Sequence, residues 1–177
     1  MTRRRWLWIL GIATLALLAV ELLYDGRMQD AGSYGIVDFE VAFTSGKAQE
    51  IMRAWGAKGH DAAVASLWFD FLYLIAYGLF LCLAIRAVGD GLRARGRLRL
   101  AAPATAISLL PLVSATSDAV EDVFLLLVLG GDLPSAGPPL AGSFATLKFV
   151  CIAVALVYLL AGLIAMALTR RSAPAAR

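Results

Sequence analysis

Four long apolar stretches constrain the fold of this chain more than any other feature. They cover residues 6–24, 63–86, 102–129 and 143–168, and each is close to or above the roughly 20 residues that a helix needs to cross a bilayer. The chain is 60% hydrophobic and 16% charged, whereas a soluble domain is nearer half apolar and a quarter charged. The sequence therefore predicts an all-α membrane protein, a four-transmembrane-helix bundle that forms a single membrane domain over residues 1–177.

Basic residues cluster at the ends of the predicted spans. Arginines occur at 3–5 before the first span, between 86 and 99 after the second, and at 170–171 after the fourth. Because basic loops favour the cytoplasm, we predict both termini on the cytoplasmic side of a bacterial inner membrane. No small-x-small cleavage pattern precedes Tyr24, so we expect the first span to be retained rather than removed as a signal peptide. Arginines beside membrane spans argue against a nucleic-acid partner.

The longest polar stretch, residues 25–62, is predicted to form a small cap on the outer face. Within it, residues 34–41 alternate apolar and acidic side chains, which favours a short extended segment. A short amphipathic helix should follow, capped by Thr44 or Ser45 and closed by Gly56. Its apolar face carries residues at i, i+3, i+4 and i+7, a spacing that suits a helix lying on the membrane surface or capping the bundle: Ala48, Ile51, Met52 and Trp55.

The third apolar stretch contains three carboxylates, Asp118, Glu121 and Asp122. Ionisable side chains are costly inside a bilayer and usually face a bundle interior or a wet cavity, where they carry function. Residues three and four apart share a helix face, so Ser114, Asp118 and a later acid form one polar stripe. The stretch is longer than one membrane thickness, and we expect it to tilt, kink or protrude, with Pro111 as the source of a kink.

Charged side chains from the other three spans are predicted to meet this stripe. Counted inward from the outer ends of the spans, Glu21, Asp70 and Lys148 lie roughly 5 to 9 Å deep and the third-span acids roughly 12 to 18 Å deep. Tyrosines on the same face as Asp70 can donate hydrogen bonds to carboxylates. We therefore predict one intramembrane acidic site in the outer half, with these ligand-binding residues: Glu21, Asp70, Tyr73, Tyr77, Asp118, Glu121, Asp122 and Lys148.

Five carboxylates against one lysine leave the predicted site with excess negative charge. Like charges at low dielectric repel strongly, and three arrangements would relieve the repulsion. Some carboxyl groups hold protons, a cation or metal ion lies among them, or some side chains turn toward outer water. Oxygen ligands from Asp70, Asp118, Glu121 and Asp122 would suit Ca²⁺, Mg²⁺ or Mn²⁺. Their spacing alone does not assign metal ligands, and the cofactor stays open.

Three functions fit a site of this kind. The main prediction is a binding or interaction protein with a pocket for a small cationic or amphipathic ligand, because polar groups converge in apolar surroundings. The alternative is an accessory subunit of a larger membrane complex, in which Lys148 pairs with an acid and the network only sets helix packing. A lipid-modifying acid–base enzyme such as an isomerase is third, and no nucleophile or metal-hydrolase motif occurs. The expected partners are the lipid bilayer, a small amphipathic ligand and other membrane subunits.

The cysteines and the histidine are not part of the predicted site. Cys82 and Cys151 lie in apolar spans outside any C-x-x-C pattern, so we predict packing roles for both. His60 is the only histidine, and we expect an ordinary surface residue.

Several different short motifs are spread over most of the chain: Gly35-Ile36-Val37-Asp38-Phe39-Glu40, Ala48-Gln49-Glu50-Ile51, Ala54-Trp55-Gly56, Asp70-Phe71-Leu72-Tyr73, Tyr77-Gly78, Asp118-Ala119-Val120-Glu121-Asp122 and Lys148-Phe149. In these motifs the chain resembles a family of uncharacterised bacterial four-span integral membrane proteins. The resemblance implies the four-span fold and no established activity. The family pattern has an amide where this chain has Asp122, so the added charge leaves open whether this site works as it does in the other members.

Overall fold

The computed structural model describes residues 2–132 and 135–171. Within these ranges the chain forms helices and no strand, so the prediction of an all-α protein is confirmed. Residues 172–177, the end of the predicted basic tail, lie outside the described part. The helices, in chain order, are α1 (Arg3–Gly32), α2 (Ile36–Glu40), α3 (Ser45–Arg93), α4 (Leu98–Ala101), α5 (Ala104–Ile107), α6 (Leu110–Gly130) and α7 (Gly137–Arg171).

Three helices of the described chain are long and apolar enough to cross a membrane. They are Arg3–Gly32, Ser45–Arg93 and Gly137–Leu168, and each contains one of the predicted spans. A membrane protein is the class of molecule that these helices define. The helices extend well beyond the apolar windows, because hydropathy marks the part that suits lipid and not the point where helical hydrogen bonding ends.

The long helices pack around α3. Helix α1 runs along α3, α6 pairs with α7, and α3 also contacts both α6 and α7. Helix α2 follows the end of α1 and touches α3 and α7 at one end of the bundle, while α4 and α5 lie against α3 at the other. We name these the α2 end and the α4 end, and the two halves of the bundle after them.

Within the segment at residues 34–41, residues 36–40 are helical, so the prediction of an extended segment is wrong. Two acidic side chains fix the start of α2. The backbone N–H of Gly35 donates to Asp38 Oδ2 at 2.8 Å, and the N–H of Ile36 donates to Asp25 Oδ1 at 2.7 Å. These bonds satisfy amides at the start of the helix, and the resulting turn buries Phe39 and Glu40 side by side. Alternating polarity had suggested a strand, but local capping decides otherwise.

Residues 25–62 do not form a separate cap. Helix α1 continues to Gly32, and the predicted amphipathic segment is the beginning of α3, where Thr44 Oγ1 accepts a hydrogen bond from the N–H of Lys47. Gly56 has φ 56° and ψ −161° and kinks α3 there. The apolar face of the segment is buried against Met28 and Phe39, in a cluster that includes Ala48, Ile51 and Trp55.

The predicted third span, residues 102–129, is not one helix. It begins in the turn at residues 102–103 that follows α4, and a second turn at residues 108–109 separates α5 from α6. Pro111 lies in the first turn of α6, where its missing N–H leaves no hydrogen bond unmade. Ser108 Oγ donates to the carbonyl of Thr105 at 2.7 Å in the turn before it. Pro103 and Ser108 stand at these turns, but the average hydropathy of the whole stretch stays high and does not locate the breaks.

Candidate functional site

One buried lysine in the α2 half binds three carboxylates. Lys148 Nζ lies 2.7 Å from Asp118 Oδ1, 2.9 Å from Glu121 Oε2 and 3.0 Å from Glu40 Oε2. All four side chains are buried. The ion pairs join α7 to α6 and α2, so a charge that would be costly alone in the bundle interior is well compensated.

Helix periodicity places the acids of α6 against α7. Ser114, Asp118 and Glu121 recur at i, i+4 and i+7, and all three are buried. Ser114 Oγ donates a hydrogen bond to the carbonyl oxygen of Lys148 at 3.1 Å. Val113 and Val123 of the same helix are exposed. The polar stripe is therefore the face of α6 that packs in the bundle, and apolar residues occupy the outside.

Helix α3 joins the network through a tyrosine. Tyr77 Oη donates to Asp118 Oδ2 at 2.8 Å and lies 3.3 Å from Ser114 Oγ. The ring of Tyr73 packs 5.1 Å from that of Tyr77, between centroids. Asp118 thus receives Lys148 on one oxygen and Tyr77 on the other, which satisfies both of its oxygens.

A cavity of about 330 Å³ lies beside these side chains, between α1, α2, α3, α6 and α7. At a rise of about 1.5 Å per residue, Glu21 and Lys148 lie roughly 16 Å from the α2 ends of their helices, and Asp118 roughly 18 Å. These distances start at the helix ends, and α1 and α7 extend past their apolar windows. The polar lining is Glu21, Asp25, Glu40, Ser66, Asp70, Tyr73, Tyr77, Asp118, Asp122 and Lys148.

Some oxygens of this lining have no hydrogen-bond partner among the described residues. Ser66 Oγ donates to Glu21 Oε2, but Glu21 Oε1 is unpartnered, and so is Asp122 Oδ2. Asp122 is 1% exposed, which makes its unpartnered oxygen an unusual feature of a folded interior. The cavity therefore contains acceptors with unused capacity.

The charge of the lining is strongly unbalanced. Six carboxyl groups and one lysine line the cavity, so a cation or bound protons are needed to offset the repulsion. Glu40, which lies outside the spans, illustrates the effect: burial raises its pKa above the ordinary value, although Lys148 acts in the opposite direction. The site is built to attract positive charge.

Three of the carboxyl groups also meet the geometric requirement of a metal site. One oxygen each of Asp70, Asp118 and Asp122 can be chosen so that all lie within 4.8 Å of one another. Oxygen-only sets of this kind fit Ca²⁺, Mg²⁺ or Mn²⁺. The sequence interpretation assigned no metal ligands, and the fold brings these three together from α3 and α6.

Seven of the eight predicted site residues line the cavity, and Glu121 does not. Glu121 is fully buried and contacts Lys148. Sequence reasoning missed Glu40, Asp25 and Ser66. Glu40 was assigned to an outer strand, and its signal, an acid between Phe39 and Val41, becomes informative only once the segment is recognised as a helix that turns inward.

Comparison with protein-family models, with curated proteins and with solved structures finds no match for this chain. The resemblance to bacterial four-span proteins therefore stays an expectation. Fold and site together define an all-α membrane protein with a buried acidic cavity.

Proposed function

We propose that this chain is a four-span membrane protein that binds a small cationic ligand in its acidic cavity. The observation that carries the proposal is the cavity itself. It has six carboxyl groups against one lysine, and a buried, unpartnered oxygen of Asp122 belongs to its lining. Concave sites in which a few polar groups converge among apolar residues are the usual form of ligand pockets.

Helix α6 is the fourth span in this proposal. Its 21 residues extend roughly 31 Å, about the thickness of the hydrocarbon core. With three carboxylates, α6 is not recognised as a membrane span from its composition alone, but all three are buried inside the bundle. A helix with acids on its packed face and valines outside meets the requirement for intramembrane charge.

The orientation of the protein in the membrane, in this proposal, follows from the positions of its arginines. Arg3 and the basic stretch at residues 93–99 belong to the α4 end, where Arg3 binds Asp90. Basic residues favour the cytoplasm, so the α4 end and both termini are cytoplasmic and the α2 end faces outward. The membrane is the bacterial inner membrane, as the resemblance implies.

Thermal unfolding tests the binding proposal. The purified protein, held in phosphatidylcholine nanodiscs, is titrated with primary amines of four to twelve carbons and with alcohols of the same lengths. A ligand that binds only the folded state raises Tm, so at least one amine should raise Tm while its alcohol does not. Asp70→Asn should weaken the response, and the matched control Asp61→Asn, at a side chain 87% exposed, should leave it unchanged. If no amine raises Tm, the proposed binding of an organic cation is wrong.

A second candidate function, an accessory subunit, is favoured by the same lysine. Lys148 links α2, α6 and α7 through ion pairs, and such a network can serve packing alone. Purification in mild detergent separates the candidates. A partner in fixed stoichiometry supports the subunit, and a stable lone bundle that responds to amines supports the binding protein.

A further inference from the structure

The cavity has an open side between two helices that do not pack together. Helix α1 packs along α3 and α7 packs on α6 and α3, with no comparable contact between α1 and α7. The cavity is nevertheless lined by both, through Leu18 and Leu22 of α1 and Phe149 and Ile152 of α7. Helices α3 and α6 form its floor, so the gap between α1 and α7 is its side opening.

Helix α2 covers the cavity at the end of the bundle. Ile36, Val37 and Glu40 line the cavity from this helix. Glu40 is held by Lys148 at 3.0 Å, and the N–H of Ile36 by Asp25. Access along the bundle axis is thus obstructed by a helix that is fixed at both of its ends. The gap between α1 and α7 lies level with the spans and is bordered by apolar side chains.

We propose that the cavity takes its ligand sideways from the bilayer, through the α1–α7 gap, and that the ligand is a single-chain amphiphile with a protonated amine head. This inference rests on the proposed function and adds the ligand class and its route. The ammonium group complements the carboxylates, and Asp122 Oδ2, buried and unpartnered, accepts one of its hydrogen bonds. The alkyl chain lies along the apolar border of the gap.

The size of the cavity agrees with a ligand whose head group lies inside it and whose alkyl chain lies in the gap. A volume of about 330 Å³ equals roughly eleven water molecules at about 30 Å³ each. It accommodates a head group and the first carbons of a chain, and the remaining chain stays between the helices. A phospholipid is a poor ligand, because its phosphate would lie among carboxylates of the same sign.

The test uses dodecylamine and butylamine as probes, in nanodiscs of phosphatidylcholine, with binding followed by the shift in Tm. Leu22 borders the gap and is 63% exposed, whereas the adjacent Leu23 is 67% exposed and lies outside the cavity lining. Leu22→Trp narrows the gap, and Leu23→Trp is the matched control. We expect at least tenfold weaker apparent affinity for dodecylamine in Leu22→Trp and no change in Leu23→Trp. Amounts are expressed as mole fractions in the lipid, so that partitioning does not imitate binding.

Each outcome decides between the two proposals. If butylamine, added from water, binds as tightly as dodecylamine and Leu22→Trp has no effect, the ligand comes from water: the lateral route is wrong while the proposed function stands. If dodecanol protects as well as dodecylamine, the amine head is wrong. If neither amine binds to the wild-type protein, the proposed function fails as well.

Discussion

The α2 half and the α4 half of the bundle share the same long helices, but their interiors differ in composition. The α2 half contains the Lys148 ion pairs and the acidic cavity. The α4 half is held by apolar contacts around Val88, Leu92 and Ala101. Among the described residues, every buried side-chain oxygen without a hydrogen-bond partner belongs to an acid of the α2 half. Satisfied polar groups are the rule in folded interiors, and the α2 half, which departs from it, is the half in which we propose that a ligand binds.

Small residues explain how the α4 half closes. A Cβ added at Gly162 would collide with Val88 of α3, and one added at Gly89 would collide with Ala104 of α5. Close backbone approach through small residues is the usual way that helices associate in lipid. The polar side chains here bond across helices: Tyr158 Oη of α7 donates to the carbonyl of Leu100 in α4 at 3.0 Å.

The largest effect is expected from Lys148→Met, which breaks the α2 half. The substitution keeps the length of the side chain but leaves Glu40, Asp118 and Glu121 without their shared cation. Removing one partner of a buried ion pair costs about 3–5 kcal/mol. Denaturant unfolding in detergent micelles measures the loss. The control Lys47→Met breaks an exposed pair with Glu50 and should cost far less, because water screens a surface ion pair. Equal effects would show that the buried network is no more important than a surface pair.

A smaller effect is expected in the α4 half from Gly162→Ala. The new Cβ meets Val88, a β-branched residue with little rotamer freedom in a helix, and overpacking costs about 1–3 kcal/mol. Amine binding should be unchanged. The control is Gly26→Ala, where no atom lies within 4 Å of the new Cβ and the gain in helix propensity is about 0.5–1 kcal/mol. Weakened amine binding in Gly162→Ala would contradict the separation of the two halves.

The substitution Asp122→Asn should change the stability of the protein and its affinity for amines in opposite directions. The amide introduces donors beside the oxygens of Asp70 and Asp118, and satisfying a buried acceptor is worth about 1 kcal/mol. We expect a slightly more stable protein that binds amines at least tenfold more weakly, as measured by unfolding and by the Tm response. Asp61→Asn is again the exposed control. A variant that is both less stable and fully able to bind would contradict the assignment of Asp122 to the ligand.

The smallest expected effect is the dependence of stability on pH, and the sign of this dependence differs between the α2 half and the α4 half. Burial raises the pKa of Glu40 above its ordinary value of 4.5. The folded state therefore retains this proton longer than the unfolded state, and stability falls as pH rises above 4.5. At the other end, the hydrogen bond from Arg3 lowers the pKa of Asp90 below 3.8. Its contribution is present above 3.8 and is lost as pH falls through the lower folded value.

Stability measured against pH in the variants Glu40→Gln and Asp90→Asn tests these signs. Glu40→Gln should remove the fall above pH 4.5, and Asp90→Asn should remove a loss of less than about 1 kcal/mol at acidic pH, because that pair is exposed. A slope of the same sign at both residues would contradict the comparison.

Much of the site could be anticipated from the sequence, because helix periodicity carries local geometry. Ser114, Asp118 and Glu121 had to share a face once α6 was a helix. Their partner Lys148 followed from being the only cation predicted in the outer half of the spans. Glu40 could not be anticipated, since its burial depends on α2 turning inward under the control of Asp25, which lies eleven positions before Ile36, the first residue of α2. The breaks at residues 102–103 and 108–109 were missed for a different reason: the average hydropathy of the stretch stays high across Pro103 and Ser108.

The sequence alone determined that this chain is helical, belongs in a membrane and contains more intramembrane acid than base. These properties follow from composition and from side-chain spacing within single helices, which need no knowledge of neighbours. Only the tertiary structure decided that α1 and α7 stand apart, that α2 covers the space between them, and that Asp122 retains an unpartnered oxygen there. Such features depend on which helices pack together, and that is a balance of contacts distant in the chain.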